Sequence, residues 1–343
     1  MPGRTAVLGT RPRGIRSAGQ LDRAAGVLLG TAVGDALGVP YEFQPPLAAT
    51  ETPRMSGGGL GPYEPAEYSD GTQMAVCVAQ VAASGADLRA EHVLDAIAAN
   101  FLDWAAHGAT DMGAQTSAVL SAARENRRAR PAMALRTAAA ALHERTGRTA
   151  GNGSLMCTAV VALPYLDDPG AMAEAARAIS DLTHPDPLAA DACVLWCAAI
   201  RRAVLDGTFA GLREGLGLLP AERRGRWAGW IDEADRHSPA RFAPNGFVVP
   251  ALQAAWSAVS RTYILLRGST DATAGSEHID LSLAEAIRAG DDTDTVAAIA
   301  GALLGARWGA GILLSSGLGA HVHGWPGLGA TELVKLALDA VTG

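Results

Sequence analysis

Apolar positions along this chain recur at steps of three and four much more often than they alternate. Leu94, Ile97, Phe101 and Trp104 mark one face of a helix across residues 88–106. Pro131 opens another helix, through about residue 145, because proline suits the first helical position. Met172, Ala176 and Ile179 mark a third. Residues 187–205 form a long apolar stretch that stops at Asp206-Gly207-Thr208. The segment 220–235 sets Trp227, Trp230 and Ile231 on one side and its charges on the other. Leu333, Leu336 and Leu338 close the chain over 331–341. Strand signals are few and do not alternate with helices, which speaks against a doubly wound sheet. The pattern predicts an all-α domain.

Between these segments, residues 44–68 are rich in Pro and Gly and have no periodicity. A loop of that length is functional or mobile rather than a connector. Shorter loops are predicted at 107–113, 146–154, 236–246 and 268–280. No internal repeat and no linker interrupts the chain, so residues 21–343 are expected to form one domain. Residues 1–20 carry Arg4, Arg11, Arg13 and Arg16 without an acid and have no apolar signal-peptide segment. They read as a disordered tail. No apolar run is expected to reach membrane-spanning length.

Composition narrows the chemistry. An apolar share of 49% against 18% charged residues, over 343 positions, promises a large buried core. The formal net charge of −7 gives no general drive toward nucleic acid or an anionic membrane. Lys335 is the only lysine, and no Gly-Lys phosphate loop exists. Cys77, Cys157, Cys193 and Cys197 lie in apolar helical contexts without a second zinc-spaced pair. Buried free thiols and a reducing, cytoplasmic compartment are expected.

Polar clusters stand at the mouths of apolar helices. In "GTAVGDALGVPYEF" (30–43) a helix is predicted to end at Gly34-Asp35, and Glu42 follows among apolar neighbours. Ser69, Asp70 and Thr72 precede an apolar helix, where a capping role is the plain reading. In "AGDDTDTVAAIAGALLGA" (289–306), Asp291, Asp292 and Asp294 are more carboxylates than one cap needs. Asp292, Asp294 and Thr295 offer the oxygen donors that Mg²⁺ or Mn²⁺ prefers, within one turn of a thin helix that can be buried. Asp111 and Thr116 are expected to be exposed at the mouth of a further helix. Gly151, Asn152, Gly153 and Ser154 form a small-residue loop that can offer N–H groups to phosphate, or is an ordinary turn. His184 lies at a proline-broken joint, and "HVHG" (321–324) reads as surface.

Six of these stretches, "GTAVGDALGVPYE", "SDGTQM", "DMGAQT", "GNGSLM", "THPDP" and "GDDTDTVAAIAGALLGA", occur in the order found in ADP-ribosylglycohydrolases, and the chain resembles that family from about residue 22 to 310. The resemblance implies an orthogonal multi-helix bundle with a binuclear Mg²⁺ or Mn²⁺ site at helix N-termini. It implies hydrolysis of the bond joining ADP-ribose to an acceptor side chain, often arginine, on an ADP-ribosylated protein. It places metal ligands on Ser69, Asp70, Asp292, Asp294 and Thr295. Glu42, Asp111 and Asp292 become the catalytic carboxylates. Gly113, Gly151, Asn152, Gly153, Ser154 and His184 become the ADP-ribose contacts.

The chain also departs from the family pattern. Gly71 stands where a second consecutive aspartate is usual, so one ligand oxygen is missing. Ser69 replaces a threonine, Cys157 an arginine and Ala114 a polar residue. Asp291 is an additional acid. Two functions are therefore carried forward: a metal-dependent hydrolase of ADP-ribosylated side chains, and an ADP-ribose-binding relative with weak turnover because of Gly71.

Overall fold

The apolar steps of three and four become helices. The computed structural model describes residues 14–126, 128–266 and 272–343. In chain order come α1 (Ala18–Gly38), α2 (Asp70–Ala82), α3 (Glu91–His107), α4 (Ala114–Glu125) and α5 (Pro131–Thr146). Then follow α6 (Gly153–Met156), α7 (Pro169–Ser180), α8 (Pro187–Asp206), α9 (Gly211–Glu214) and α10 (Ala221–Arg236). The chain closes with α11 (Val248–Leu265), α12 (Ala272–Arg288), α13 (Thr293–Trp308), α14 (Ala310–Ser315) and α15 (Ala330–Thr342). A short antiparallel ribbon, β1 (His323–Gly324) and β2 (Leu328–Gly329), pairs His323 with Gly329 and takes up part of "HVHG".

Helix boundaries follow local chemistry. Asp168 and Asp186 cap α7 and α8 ahead of their first-turn prolines. Gly147 and Gly207 end α5 and α8 in the left-handed conformation. Ser17 caps α1 in a reciprocal box with Gln20, so α1 begins inside the stretch expected as a tail. Gly14 N–H and the Arg16 guanidinium bond Asp167 at 3.0 and 2.5 Å. Residues 1–13, with Arg4, Arg11 and Arg13, lie outside the described residues.

Several boundaries correct the sequence reading. α1 does not stop at Gly34-Asp35 but runs to Gly38, leaving Asp35 inside a helix. α12 starts within the loop predicted at 268–280, of which 268–271 lie outside the described residues. Residues 159–165 wind as a 3₁₀ helix around Pro164 rather than as an α-helix. Residues 18–41 are long and apolar enough to cross a membrane, contrary to expectation, yet 89% of the apolar window is buried in the fold.

That burial has a specific cause. Gly26, Gly30, Gly34 and Gly38 repeat at every fourth position of α1 and meet Gly305, Gly301, Ala297 and Asp294 of α13. A Cβ on Gly34 would lie 1.9 Å from the Ala297 carbonyl oxygen, and one on Gly38 2.4 Å from the Asp294 Cα. The two helices thus run antiparallel with their backbones in contact, an approach only glycine permits. Every residue of α13 except Arg307 is buried. One continuous core, including the fully buried Trp104, Trp196 and Trp227, extends from Ala24 to Val341. The seam sets the C-terminal turn of α1 against the N-terminus of α13.

Candidate active site

At that junction a cleft of about 590 Å³ opens. Glu42, Asp70, Asp111, Asp292 and Thr295 line one part, and Gly113, Gly151, Asn152, Gly153 and His184 line the rest. Ser69, Asp294 and Ser154 are buried and do not line it. Thr116 lines the cleft but is buried, correcting the exposed position expected for it; Asp111 is half-buried.

The plain capping reading fails at both acidic helix starts. Ser69 and Asp292 occupy the N-cap positions of α2 and α13, but neither side chain makes a capping bond. The Ser69 hydroxyl instead lies between two carboxylates, 2.5 Å from Asp35 Oδ1 and 2.9 Å from Asp294 Oδ2. One hydroxyl carries one proton, so it serves one of them at a time. Asp292 Oδ2 accepts from Asn152 Nδ2 at 2.7 Å, which ties the glycine loop to α13. Asn245, fully buried, accepts from Asp292 N–H and donates to the Gly290 carbonyl, both at 3.0 Å.

Glu42, Asp292 and Asp294 bring carboxylate oxygens within 4.8 Å of one another. Burial pushes the Glu42 carboxyl up to about 9, and the charges of Asp292, Asp111, Asp70 and Asp35 push the same way. Asp294 and Asp70 are raised well above the usual range, by burial first and by neighbouring acids second. The main charges acting on the three, among the described residues, are all acidic. Such a donor set, all hard oxygen and without a cationic side chain, suits a divalent cation.

Asp35 behaves differently. Its Oδ1 accepts from the N–H and hydroxyl of Ser69, and its Oδ2 from those of Thr72. It organises the start of α2 rather than awaiting a ligand. Gly71 sits beside it: a Cβ there would lie 3.2 Å from Asp35 Oδ2. Asp70 Oδ2 accepts from Gly113 N–H at 3.4 Å, linking α2 to the opposite wall.

The glycine loop is more committed than the sequence suggests. Gly151 N–H bonds Gln115 Oε1 at 3.2 Å and Asn152 N–H bonds the Gly246 carbonyl at 3.2 Å. The Ser154 hydroxyl accepts from Ser180 and Cys193, away from the cleft. His184, held neutral by burial with its pKa down to about 3, packs on Gly151 and Gly153. All four cysteines are free and buried, as expected.

A model of the ADP-ribosylglycohydrolase family matches residues 16–340. This chain belongs to that family. Among its relatives, the ADP-ribosylarginine hydrolase of Pseudomonas putida (strain GB-1) is 29% identical over 292 residues, covering 84% of this chain and 71% of that protein. The ADP-ribosyl-[dinitrogen reductase] glycohydrolase of Rhodospirillum rubrum is 27% identical over 295 residues, covering 84% and 86%. A solved structure described as an ADP-ribosylglycohydrolase-related protein complex superposes with a TM-score of 0.65 at 26% identity, covering 95% of this chain and 99% of that one. The all-α fold expected from the resemblance holds, and an ADP-ribosylglycohydrolase is a hydrolase of glycosidic bonds.

Sequence reading missed four residues in or behind this glycohydrolase cleft. Asp35 lay in a quoted motif but was read as a helix end; the four-residue glycine spacing was the overlooked signal. Asn245 reaches Asp292 across 47 positions, and no local pattern reveals that. Tyr63, from the long loop, is buried with an unpartnered hydroxyl. Phe43 lines the cleft rim.

Proposed function

We propose that this chain removes ADP-ribose from a modified protein side chain, arginine favoured, with Mg²⁺ or Mn²⁺ in the acidic cleft. One observation carries the reading: in a chain of this family, Glu42, Asp292 and Asp294 bring carboxylate oxygens within 4.8 Å of one another, and the main charges acting on Glu42 and Asp294 are those of further acids. Asp292 and Asp294 would hold the cation, with Ser69, Thr295 and Asp70 as further oxygen donors. A bound cation supplies positive charge that polarises ribose oxygens and acidifies a water.

The rest falls to the protein. Cleavage at the anomeric carbon passes through an oxocarbenium-like transition state, which nearby carboxylates stabilise. Glu42 and Asp111 face the cleft from opposite loops and are the candidates to accept the proton of the attacking water. Asp292, fixed by Asn152 and Asn245, orients the reacting end. Gly113, His184 and the Gly151–Ser154 loop form the wall that receives the ADP-ribose. The free buried thiols support a cytoplasmic setting.

The test is release of ADP-ribose from an arginine-modified protein with Mn²⁺. Turnover that disappears with chelator supports the reading; no release at any metal level overturns it. Gly71 favours a second reading, since it offers no side-chain oxygen beside Asp35. Calorimetry showing ADP-ribose binding without turnover, with rate restored by Gly71→Asp, would select a binding protein.

A further inference from the structure

Phe43 combines two features that the fold itself does not require. Its φ is 51°, in the left-handed region where a bulky side chain is an outlier and glycine is the default. Its ring is also 59% exposed, and among the described residues it has no aromatic or cationic partner. Phe247, the other exposed phenylalanine of the cleft, has an ordinary φ of −97° and a ring 5.8 Å from the Arg148 guanidinium. The Phe43 backbone is fixed, because its N–H donates to the Asp291 carbonyl at 2.7 Å. Strain of about 1–3 kcal/mol persists at such positions when the surroundings enforce it, and it clusters at functional sites.

Position gives the ring its partner. Phe43 follows Glu42, so their Cα atoms are about 3.8 Å apart, and both residues line the cleft. Glu42, Asp70, Asp111 and Asp292 line the same cleft and make this end acidic, while Arg148, its basic lining residue, lies against Phe247. A negative rim with the negative face of an aromatic ring attracts a planar cation and repels a diphosphate. We propose that Phe43 is a specificity residue whose ring receives the guanidinium of an arginine acceptor. The inference rests on the hydrolase reading above. A guanidinium stacks on aromatic faces, whereas a hydroxyl acceptor such as serine gains nothing from the ring.

The experiment compares wild type, Phe43→Gly, Phe43→Leu and Phe43→Tyr. Phe43→Gly keeps the backbone conformation and removes the ring. The substrates are one peptide ADP-ribosylated on arginine and its counterpart modified on serine. Mn²⁺ and free ADP-ribose are titrated by calorimetry in parallel. Phe43→Gly and Phe43→Leu are expected to raise KM for the arginine substrate about 3- to 30-fold, the range for a cation on an aromatic face. The serine substrate, Mn²⁺ and free ADP-ribose should change less than about twofold, and Phe43→Tyr should resemble wild type. Equal losses on both peptides, an unchanged arginine KM, or a matching loss of ADP-ribose affinity overturns the proposal. Wild type that neither binds ADP-ribose nor releases it overturns the hydrolase reading first, and this inference with it.

Discussion

The two ends of the α1–α13 pair are built from the same thin helices and treat charge in opposite ways. At the far end, signs are mixed. Arg23 donates to the carbonyls of Val204 and Leu205, Arg307 lies 4.1 Å over the Trp308 ring, and Asp22 accepts from Gly311 N–H at 2.9 Å. Arg23 is acted on by Asp22 and Asp206 as well as by Arg307. At the near end the charges acting on Glu42, Asp70 and Asp294 are all negative. Arg148, the basic residue that lines the cleft, lies against Phe247, and none of the three acids has it among the main charges acting on it. An acidic pocket without a counter-ion is unfavourable by itself and becomes favourable when a cation enters.

The change that should break the comparison outright is Gly34→Val. Its Cβ would fall 1.9 Å from the Ala297 carbonyl oxygen, where only backbone could move. Separating the helices would dismantle both ends at once. A loss of at least about 3 kcal/mol is expected, at or beyond the usual range for overpacking. Urea unfolding with matched circular dichroism and fluorescence measures it.

Asp35→Asn should come next and separates a self-sufficient acid from the waiting ones. Each carboxylate oxygen of Asp35 accepts one N–H and one hydroxyl. Whichever way the amide turns, its NH₂ confronts one backbone N–H that cannot turn away, although the hydroxyl beside it can turn and accept. Leaving that N–H unpaired costs about 1–3 kcal/mol. By contrast Asp294→Asn, measured without metal, should cost little or raise stability, because it removes one of several repelling charges. Equal losses for the two variants would erase the distinction drawn between them.

These residues also mark how far the sequence could be read. The helices with clear apolar steps, α3, α5, α8, α10 and α15, begin and end within a few residues of expectation, and α7 contains the three positions that marked it. α11 was not anticipated: Val248, Val249 and Pro250 at its start obscure an alanine-rich helix whose apolar residues are mostly buried. The acids near 70 and 293 were legible as donors because their chemistry is written in residue type. Asp35 was not, since its meaning comes from a glycine seam that pairs α1 with a helix some 260 positions away. Asp291 is the reverse case. It reads in the sequence only as an additional acid, and the structure sets it apart by its φ of 56° and by the carbonyl that holds Phe43.

A smaller effect sharpens the near end. Mn²⁺ at about one hundred times its Kd should add about 2.7 kcal/mol to unfolding free energy. Asp292→Asn and Asp294→Asn should weaken that gain, and Asp291→Asn should leave it nearly intact, since asparagine tolerates the left-handed conformation. Thermal melts with and without chelator decide this. A full loss in Asp291→Asn would make its carboxylate a ligand.

The smallest effect tests the far end, through pH. His278 is buried there, with Nδ1 accepting from Trp308 Nε1 at 2.9 Å and Nε2 facing the Val259 carbonyl at 2.9 Å. Burial lowers its pKa to about 4, and the Arg307 charge adds to the shift, against a weaker pull upward from Val259. An unfolded histidine titrates near 6.5. Below that value the unfolded chain takes up a proton that the folded chain refuses, so stability falls as pH drops and levels off only below about 4. Between pH 6.5 and 5 the loss is about 1.5 kcal/mol from this residue. His278→Gln keeps a donor for Val259 and should flatten that slope, whether or not metal is bound. A slope that Mn²⁺ abolishes would belong to the near end instead, and the two ends would then not be electrostatically separate.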